Sequence, residues 1–240
     1  MNKNDLRFLQ KDKPNYTQKD VELLESGYPL SYIIGYVDFL KAKINLNHKV
    51  LIPRPETEYW VSKVSPEIKE LKSGKILDIF CGSGCIGISL LLENTNIHVT
   101  FSDIDENAIL QTKENLIENK ISENRYEIIK SDLFENISGK FDYIFANPPY
   151  VGINDEVGEE IKHEPKHAIY SENDGMYLIE KFLGSAKDYL NEDGTIYLEF
   201  GSSQKTKMAE YVEINSTYSA SFFNDQYGKD RFARISPKVF

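Results

Sequence analysis

The tetrapeptide Asn147-Pro148-Pro149-Tyr150 carries a side-chain amide, a phenol and a run of carbonyls on a backbone that two prolines hold stiff. It follows the apolar run Phe141 to Ala146, which reads as a strand, so these polar groups stand at a strand end. A rigid rim of that kind is suited to holding something planar and polar. A second cluster, Asp78 to Gly87, contains Gly82-x-Gly84-x-x-Gly87 between a strand-like and a helix-like segment. Glycines there let a ligand approach the backbone closely, and the following helix offers unpaired amides. Asp103 closes the next strand, where an acid can accept both ribose hydroxyls of a nucleoside.

The loop and its acid serve nicotinamide cofactors and S-adenosylmethionine alike, and a tight strand-helix turn without ligand has the same appearance. A third pattern, His163-Glu164-Pro165-Lys166-His167, matches the HExxH of zinc proteases. That motif needs both imidazoles on one continuous helix, and Pro165 interrupts it, so these read as loop histidines and no metal is expected. Cys81 and Cys85, the only cysteines, lie within the glycine-rich stretch and read as small packing residues in a reducing cytoplasm.

Composition narrows the classes. The chain of 240 residues has a net charge of −10, which argues against a nonspecific grip on nucleic acid. The acidity lies outside residues 1–50, which hold eight Lys and Arg against six Asp and Glu. The chain has no run of eighteen apolar residues to span a membrane. Its first residues lack the apolar core of a secretory signal.

The elements that must position these groups alternate. Strands are predicted at 75–80, 98–103, YEIIKSD, 141–146 and GTIYLEF. Helices are predicted at CIGISLLLEN, at ENAILQTKENLIENK with Ile109, Leu116 and Ile117 on its apolar face, at GMYLIEKFLGSAKDYL and at SSQKTKMAEYVEI. YSASFFND and DRFARIS form a terminal antiparallel pair about a turn at Gly228. This α/β alternation implies a mainly parallel sheet with helices on both faces, binding ligands beyond the carboxyl ends of its strands. Residues 1–40 read as a small helical region with one candidate helix near QKDVELLESG, and 41–74 as a connecting segment. In that segment Pro55 opens a helix with Glu56 and Glu58 in its first turn. Residues 75–240 read as the main domain, expected to be the catalytic one.

LIPRPETE, DIFCGSGCIGISLL, FSDID, SDLFE and NPPY, in this order and spacing, resemble the release-factor glutamine methyltransferase family. The similarity continues through His163-Glu164-Pro165, Asp174-Gly175-Met176, Leu198-Glu199-Phe200-Gly201 and the stretch from Asp225 to Arg231, and so covers roughly residues 25–235. Two features depart from it. Phe80 stands where the family usually has glycine or a small residue, and residues 1–40 are a smaller N-terminal region than its helical domain.

The resemblance implies a Rossmann-like class I methyltransferase fold, a mainly parallel seven-stranded sheet with an antiparallel terminal hairpin. It implies methyl transfer from S-adenosylmethionine, leaving S-adenosylhomocysteine, to the glutamine side-chain amide in the Gly-Gly-Gln motif of peptide chain release factors. On this reading Phe80, Cys81, Gly82, Ser83 and Gly84 line the methionine end of the cofactor, Asp103 meets the ribose, and Asp132 and Leu133 flank the adenine. Asn147 reaches cofactor and substrate. The Asn147 side-chain oxygen and the Pro148 carbonyl accept the two amide hydrogens, Pro149 stiffens the rim, and Tyr150 packs against the flat amide. NPPY also occurs in enzymes that methylate adenine or guanine amino groups in DNA or RNA, the principal competing function. Such an enzyme would be expected to carry a basic recognition region, and none is visible. A nicotinamide-dependent oxidoreductase fits the glycines and leaves NPPY unexplained. Intact Asn147 and Asp103 count against a cofactor-binding regulator without chemistry.

Overall fold

A computed structural model describes residues 3–238; residues 1–2 and 239–240, at the outer ends of the expected N-terminal region and catalytic domain, lie outside the described residues. The N-terminal part holds three helices where the sequence suggests one: α1 (Lys3–Asp12), α2 (Gln18–Glu25) and α3 (Leu30–Ile34). Thr17 caps α2 in a capping box with Asp20. The three share a small core of Leu9, Leu24 and Ile33. A hairpin that the sequence does not announce follows, β1 (Tyr36–Phe39) with β2 (Ala42–Asn45). Its turn falls at Leu40 and Lys41, so the hairpin straddles the boundary expected between the N-terminal region and the connecting segment. These strands are short and lack a run of β-branched residues, so local pattern gives them little signal.

Helix α4 (Pro55–Lys69) begins with Pro55 in its first turn and Glu56 and Glu58 beside it, as expected. The alternating body follows: β3 (Gly74–Ile79), α5 (Cys85–Glu93), β4 (Ile97–Asp103), α6 (Glu106–Glu118), β5 (Tyr126–Lys130) and β6 (Phe141–Ala146). A short pair, β7 (Val151–Gly152) and β8 (Tyr170–Ser171), brackets the loop after NPPY. The chain then runs through α7 (Tyr177–Ala186), β9 (Leu190–Glu199), α8 (Lys205–Asn215), β10 (Tyr218–Asn224) and β11 (Asp230–Pro237).

Among the described residues, seven strands form one sheet in the order β10-β11-β9-β6-β3-β4-β5. The pairs from β9 to β5 are parallel, and β11 and β10 close the sheet antiparallel. From β3 the chain winds outward to β5 and then returns to β6 on the other side of β3, so a switch point lies between β3 and β6. Ligand crevices open at such places. One core holds α4 and α5 against a face of the sheet, and the other holds α7 and α8.

Helix α6 departs from the apolar stripe read from its sequence. Leu116 is buried, but Ile117 is 63% exposed, and the polar Gln111, Thr112 and Asn115 are fully buried in its place. Their side chains have work across the interface. Asn115 and Asn119 each pair with both backbone groups of a residue on β2, Asn45 and Lys43 respectively. Gln111 Oε1 accepts from the His48 amide at 2.8 Å. Spaced one helical turn apart, these amides act as a partner for the free edge of the hairpin, which would otherwise expose unpaired backbone.

The last glycine of the loop motif is a packing device. A Cβ on Gly87 would lie 2.3 Å from the Phe101 ring, so helix and sheet meet there at backbone distance. Gly87→Ala should therefore lower stability by about 1–3 kcal/mol, less the gain in helix propensity. Chemical denaturation checks this, and an unchanged midpoint would mean that the ring moves aside freely.

Candidate active site

A cavity of about 430 Å³ lies at the carboxyl edge of the sheet, within the ~300–1,000 Å³ usual for small-molecule sites. Ends of four adjacent strands contribute to it: Ile79 of β3 with Phe80 after it, Ser102 and Asp103 of β4, Ser131 to Leu133 after β5, and Asn147 and Pro149 after β6. Pro165, His167 and Ala168 line it from the loop after NPPY, and Tyr177 and Lys181 from α7. The residues expected at successive strand ends are thus brought to one place.

The glycine loop turns sharply, with Phe80, Gly82 and Gly84 all at positive φ. A Cβ on Gly82 would meet nothing within 4 Å, so that backbone faces open space. The Gly82 amide donates to Asp103 Oδ2 and the Asp105 amide to Oδ1, each at 2.9 Å. Burial pushes the Asp103 carboxyl upward, and these two amides oppose the shift. Cys81, Ser83 and Gly84 shape the loop from behind. The Cys81 thiol is buried and sits 3.5 Å from the Thr112 hydroxyl, and burial raises its pKa. The Ser83 carbonyl accepts from Asn115, and the Gly84 amide closes on Cys81 O.

Phe80 and Leu133 are non-glycine residues held at φ 61° and 49°, both facing the cavity. Such backbone costs roughly 1–2 kcal/mol per residue and persists where packing enforces it. The Phe80 ring lies edge-on to Phe182, 6.2 Å between centroids. Asp132 also lines the cavity, and Lys181 approaches it at 3.7 Å.

In the NPPY segment, Asn147 and Pro149 line the cavity, while Pro148 is buried and Tyr150 is turned behind the wall. The Asn147 amide Nδ2 donates to Thr57 Oγ1 at 3.4 Å. Thr57 donates to Glu199 Oε2 at 2.7 Å, and Trp60 Nε1 donates to the same oxygen at 2.6 Å. The Tyr150 hydroxyl donates to Glu199 Oε1 at 3.0 Å and accepts from Arg231 at 3.4 Å. Arg231 in turn pairs with buried Asp225. Burial raises the Glu199 pKa against these donors, and burial followed by the Glu199 charge raises that of Tyr150.

The Tyr150 carbonyl accepts from Gln204 at 2.7 Å. A Cβ on Gly175 would come within 1.9 Å of that oxygen, so only glycine fits. Glu164, also buried, holds Arg54 at 2.6 Å and the Ile52 amide at 2.9 Å, tying LIPRPETE to the loop after NPPY. The two histidines of the HExxH match sit on separate 3-10 turns, Glu159–His163 and Lys166–Ala168. His163 packs on Tyr28, and His167 bonds Asp105 at 2.9 Å.

Thr57, Trp60, Glu164, Glu199 and Arg231 are site residues that sequence reasoning did not assign a role. The signal was an acid closing the apolar strand TIYLEF, where a solvated charge has no place.

Over most of its length the chain is similar to known proteins. It is 35% identical to the release factor glutamine methyltransferase of Lactococcus lactis, across 97% of this chain and 88% of that protein. The chain belongs to the release factor glutamine methyltransferase family. The protein of the same name from Clostridium botulinum is 34% identical, across 95% of this chain and 82% of that one. Residues 60–172 match the Methyltransferase small domain family. A methyltransferase structure from Pyrococcus furiosus shares the fold, with a TM-score of 0.62 at 20% identity across 94% of this chain and all of that one. The protein is a methyltransferase, and NPPY and the glycine loop lie within the matched segment.

Asp78, on the strand that feeds the glycine loop of this methyltransferase, is 1% exposed. Its Oδ2 accepts the Gly87 amide at 2.9 Å, and Oδ1 meets no hydrogen-bond partner among the described residues. Burial, opposed by the Gly87 amide, pushes its pKa up to about 8, so the acid is neutral at neutral pH. Unfolding returns it to its ordinary 3.8, and its contribution to stability is complete below that value and lost as pH climbs towards 8. Asp78→Asn stays neutral throughout. Its stability relative to wild type should rise with pH across this window, by at most roughly 1.4 kcal/mol per unit. Urea titrations at successive pH values measure the difference, and parallel profiles would mean that Asp78 is ionised in the fold.

Proposed function

We propose that this enzyme, in the cytoplasm, transfers a methyl group from S-adenosylmethionine to the side-chain amide nitrogen of the glutamine in the Gly-Gly-Gln motif of peptide chain release factors. The observation that carries this reading is Asn147 on the wall of a strand-end cavity, hydrogen-bonded to Thr57 of LIPRPETE.

The residues present fit the cofactor. Open backbone at Gly82 accommodates the methionine end beside Phe80, with Cys81, Ser83 and Gly84 keeping the loop's shape. The Asp103 carboxylate, fixed by two amides, suits the ribose hydroxyls. Asp132 and Leu133 offer a polar edge and an apolar face for the adenine. When bound, S-adenosylmethionine supplies a methyl group activated by a positively charged sulfur.

The amide nitrogen of glutamine is a poor nucleophile because its lone pair is delocalised. Orientation is therefore the main service the protein can provide. The Asn147 side-chain oxygen and the Pro148 carbonyl accept the two amide hydrogens and so aim the lone pair, while Pro149 and the half-buried Tyr150 keep this rim from moving. The glycines of the acceptor motif let a narrow loop enter without side-chain clashes. The net charge of −10 suits a protein substrate better than a polyanion.

Asn147→Ala should keep cofactor affinity by calorimetry yet lose roughly 10²–10³-fold in methyl transfer. Activity within a few fold of wild type would assign NPPY a structural role. The substrate assignment is tested with labelled cofactor and four acceptors in parallel: intact release factor, its Gln→Glu variant, DNA and RNA. Label should enter intact release factor alone. Label on nucleic acid with none on release factor would replace this reading by the amino-group methyltransferase.

A further inference from the structure

We propose that Thr57 and Glu199 are positioning residues that dictate which end of the Asn147 side-chain amide faces the substrate. The inference rests on the function proposed above and concerns the choice of glutamine over glutamate at the reacting centre.

An asparagine amide has an acceptor end and a donor end of nearly the same shape, and its neighbours decide which way it turns. Asn147 has Thr57 as its neighbour, and a hydroxyl taken alone can either donate or accept. Glu199 removes that freedom. Its Oε2 receives the Trp60 indole, which can only donate, and lies 2.7 Å from Thr57. Its Oε1 receives the Tyr150 hydroxyl, behind which stands the Arg231 guanidinium. Three donors on its two oxygens, with a cation beyond, favour the ionised carboxylate against the burial that raises its pKa, and an ionised carboxylate accepts and never donates.

Thr57 has one proton, and Glu199 takes it. Toward Asn147 the hydroxyl then presents only lone pairs, which attract Nδ2–H and repel Oδ1. The side-chain oxygen of Asn147 is turned away from Thr57, toward the cavity that Asn147 lines. There it accepts the N–H of a primary amide and repels a carboxylate. A charge buried out of contact with water thus selects amide over acid through two hydrogen bonds. Glu199 has no exposed surface and Thr57 has 1%, so neither serves solubility, and a buried charge is costly as a mere packing element. The arrangement also gives a physical reason for LIPRPETE and NPPY to occur together, since Thr57 belongs to the first and Asn147 to the second.

The test compares Thr57→Val, which keeps the shape and loses the hydroxyl, with Thr57→Ser, which keeps the hydroxyl. Three quantities are measured: kcat and KM on release factor, competitive inhibition by its Gln→Glu variant, and S-adenosylmethionine affinity by calorimetry. In Thr57→Val the Asn147 amide is free to turn. That variant should lose roughly ten-fold in kcat, the worth of one polar contact, with cofactor affinity unchanged. Its preference for binding the glutamine over the glutamate form should narrow. Thr57→Ser should restore most of both losses, which a simple packing role would not produce. If Thr57→Val does not fold, Thr57→Ala removes the same hydroxyl and carries the same test. An active wild type whose hydroxyl-free variant keeps both kcat and discrimination overturns this inference alone. A wild type that leaves release factor unlabelled overturns the functional reading and this inference with it.

Discussion

A carboxylate with no exposed surface, Glu199 at the end of the strand beside β6, sets the terms for the elements around it. Burying such a group costs several kcal/mol unless its lone pairs are all engaged. The partners come from distant parts of the chain: Thr57 and Trp60 on α4, Tyr150 beyond β6, with Arg231 of β11 behind it. Losing one of them would leave the charge partly unpaired. Helix α4, the NPPY rim and the terminal hairpin are therefore bound to one another by a shared electrostatic constraint, beyond their apolar packing.

That constraint accounts for sequence features that the fold alone does not need. A parallel sheet with flanking helices could end β9 in any apolar residue, and could turn after β6 without Gly175 lying against the Tyr150 carbonyl. Gln204, which bridges the Tyr150 and Asp174 carbonyls, and Asp225, which receives the Tyr227 and Lys229 amides as well as Arg231, continue the same support outward. LIPRPETE, NPPY, His163-Glu164-Pro165, Asp174-Gly175-Met176, Leu198-Glu199-Phe200-Gly201 and the Asp225 to Arg231 stretch each supply a member of this network or of the Glu164 link, whereas FSDID and SDLFE line the cavity.

The sheet was legible because its strands and helices announce themselves by local periodicity, and the strand-end residues because their spacing follows from those elements. Asp103, Asp132 and Asn147 reach the cavity for that reason. The supporting network was not legible, since Thr57 and Glu199 are 142 positions apart and nothing local signals their contact. Helix α6 shows a different limit. Its buried face is polar because it pairs with backbone, so a search for apolar periodicity chose Ile117, which faces water. Phe80 shows a third. Its type departs from the family pattern, yet the backbone adopts the left-handed turn that glycine would favour, with the ring packed against Phe182.

The junction between α6 and the hairpin has a consequence for how the family can diversify. Gln111, Asn115 and Asn119 bond to peptide groups of residues 43–48, while the Lys43, Asn47 and His48 side chains add bonds to Glu118 and Glu114. The backbone half of this seam is indifferent to the identity of the residues it grips. Ahead of it, α1 to α3 have a core of their own around Leu9, Leu24 and Ile33. Substitutions in the leading helices can therefore accumulate without disturbing the register of the hairpin on α6. The leading helices can drift or be grafted, while the chemistry stays anchored behind a joint whose backbone half reads only peptide geometry.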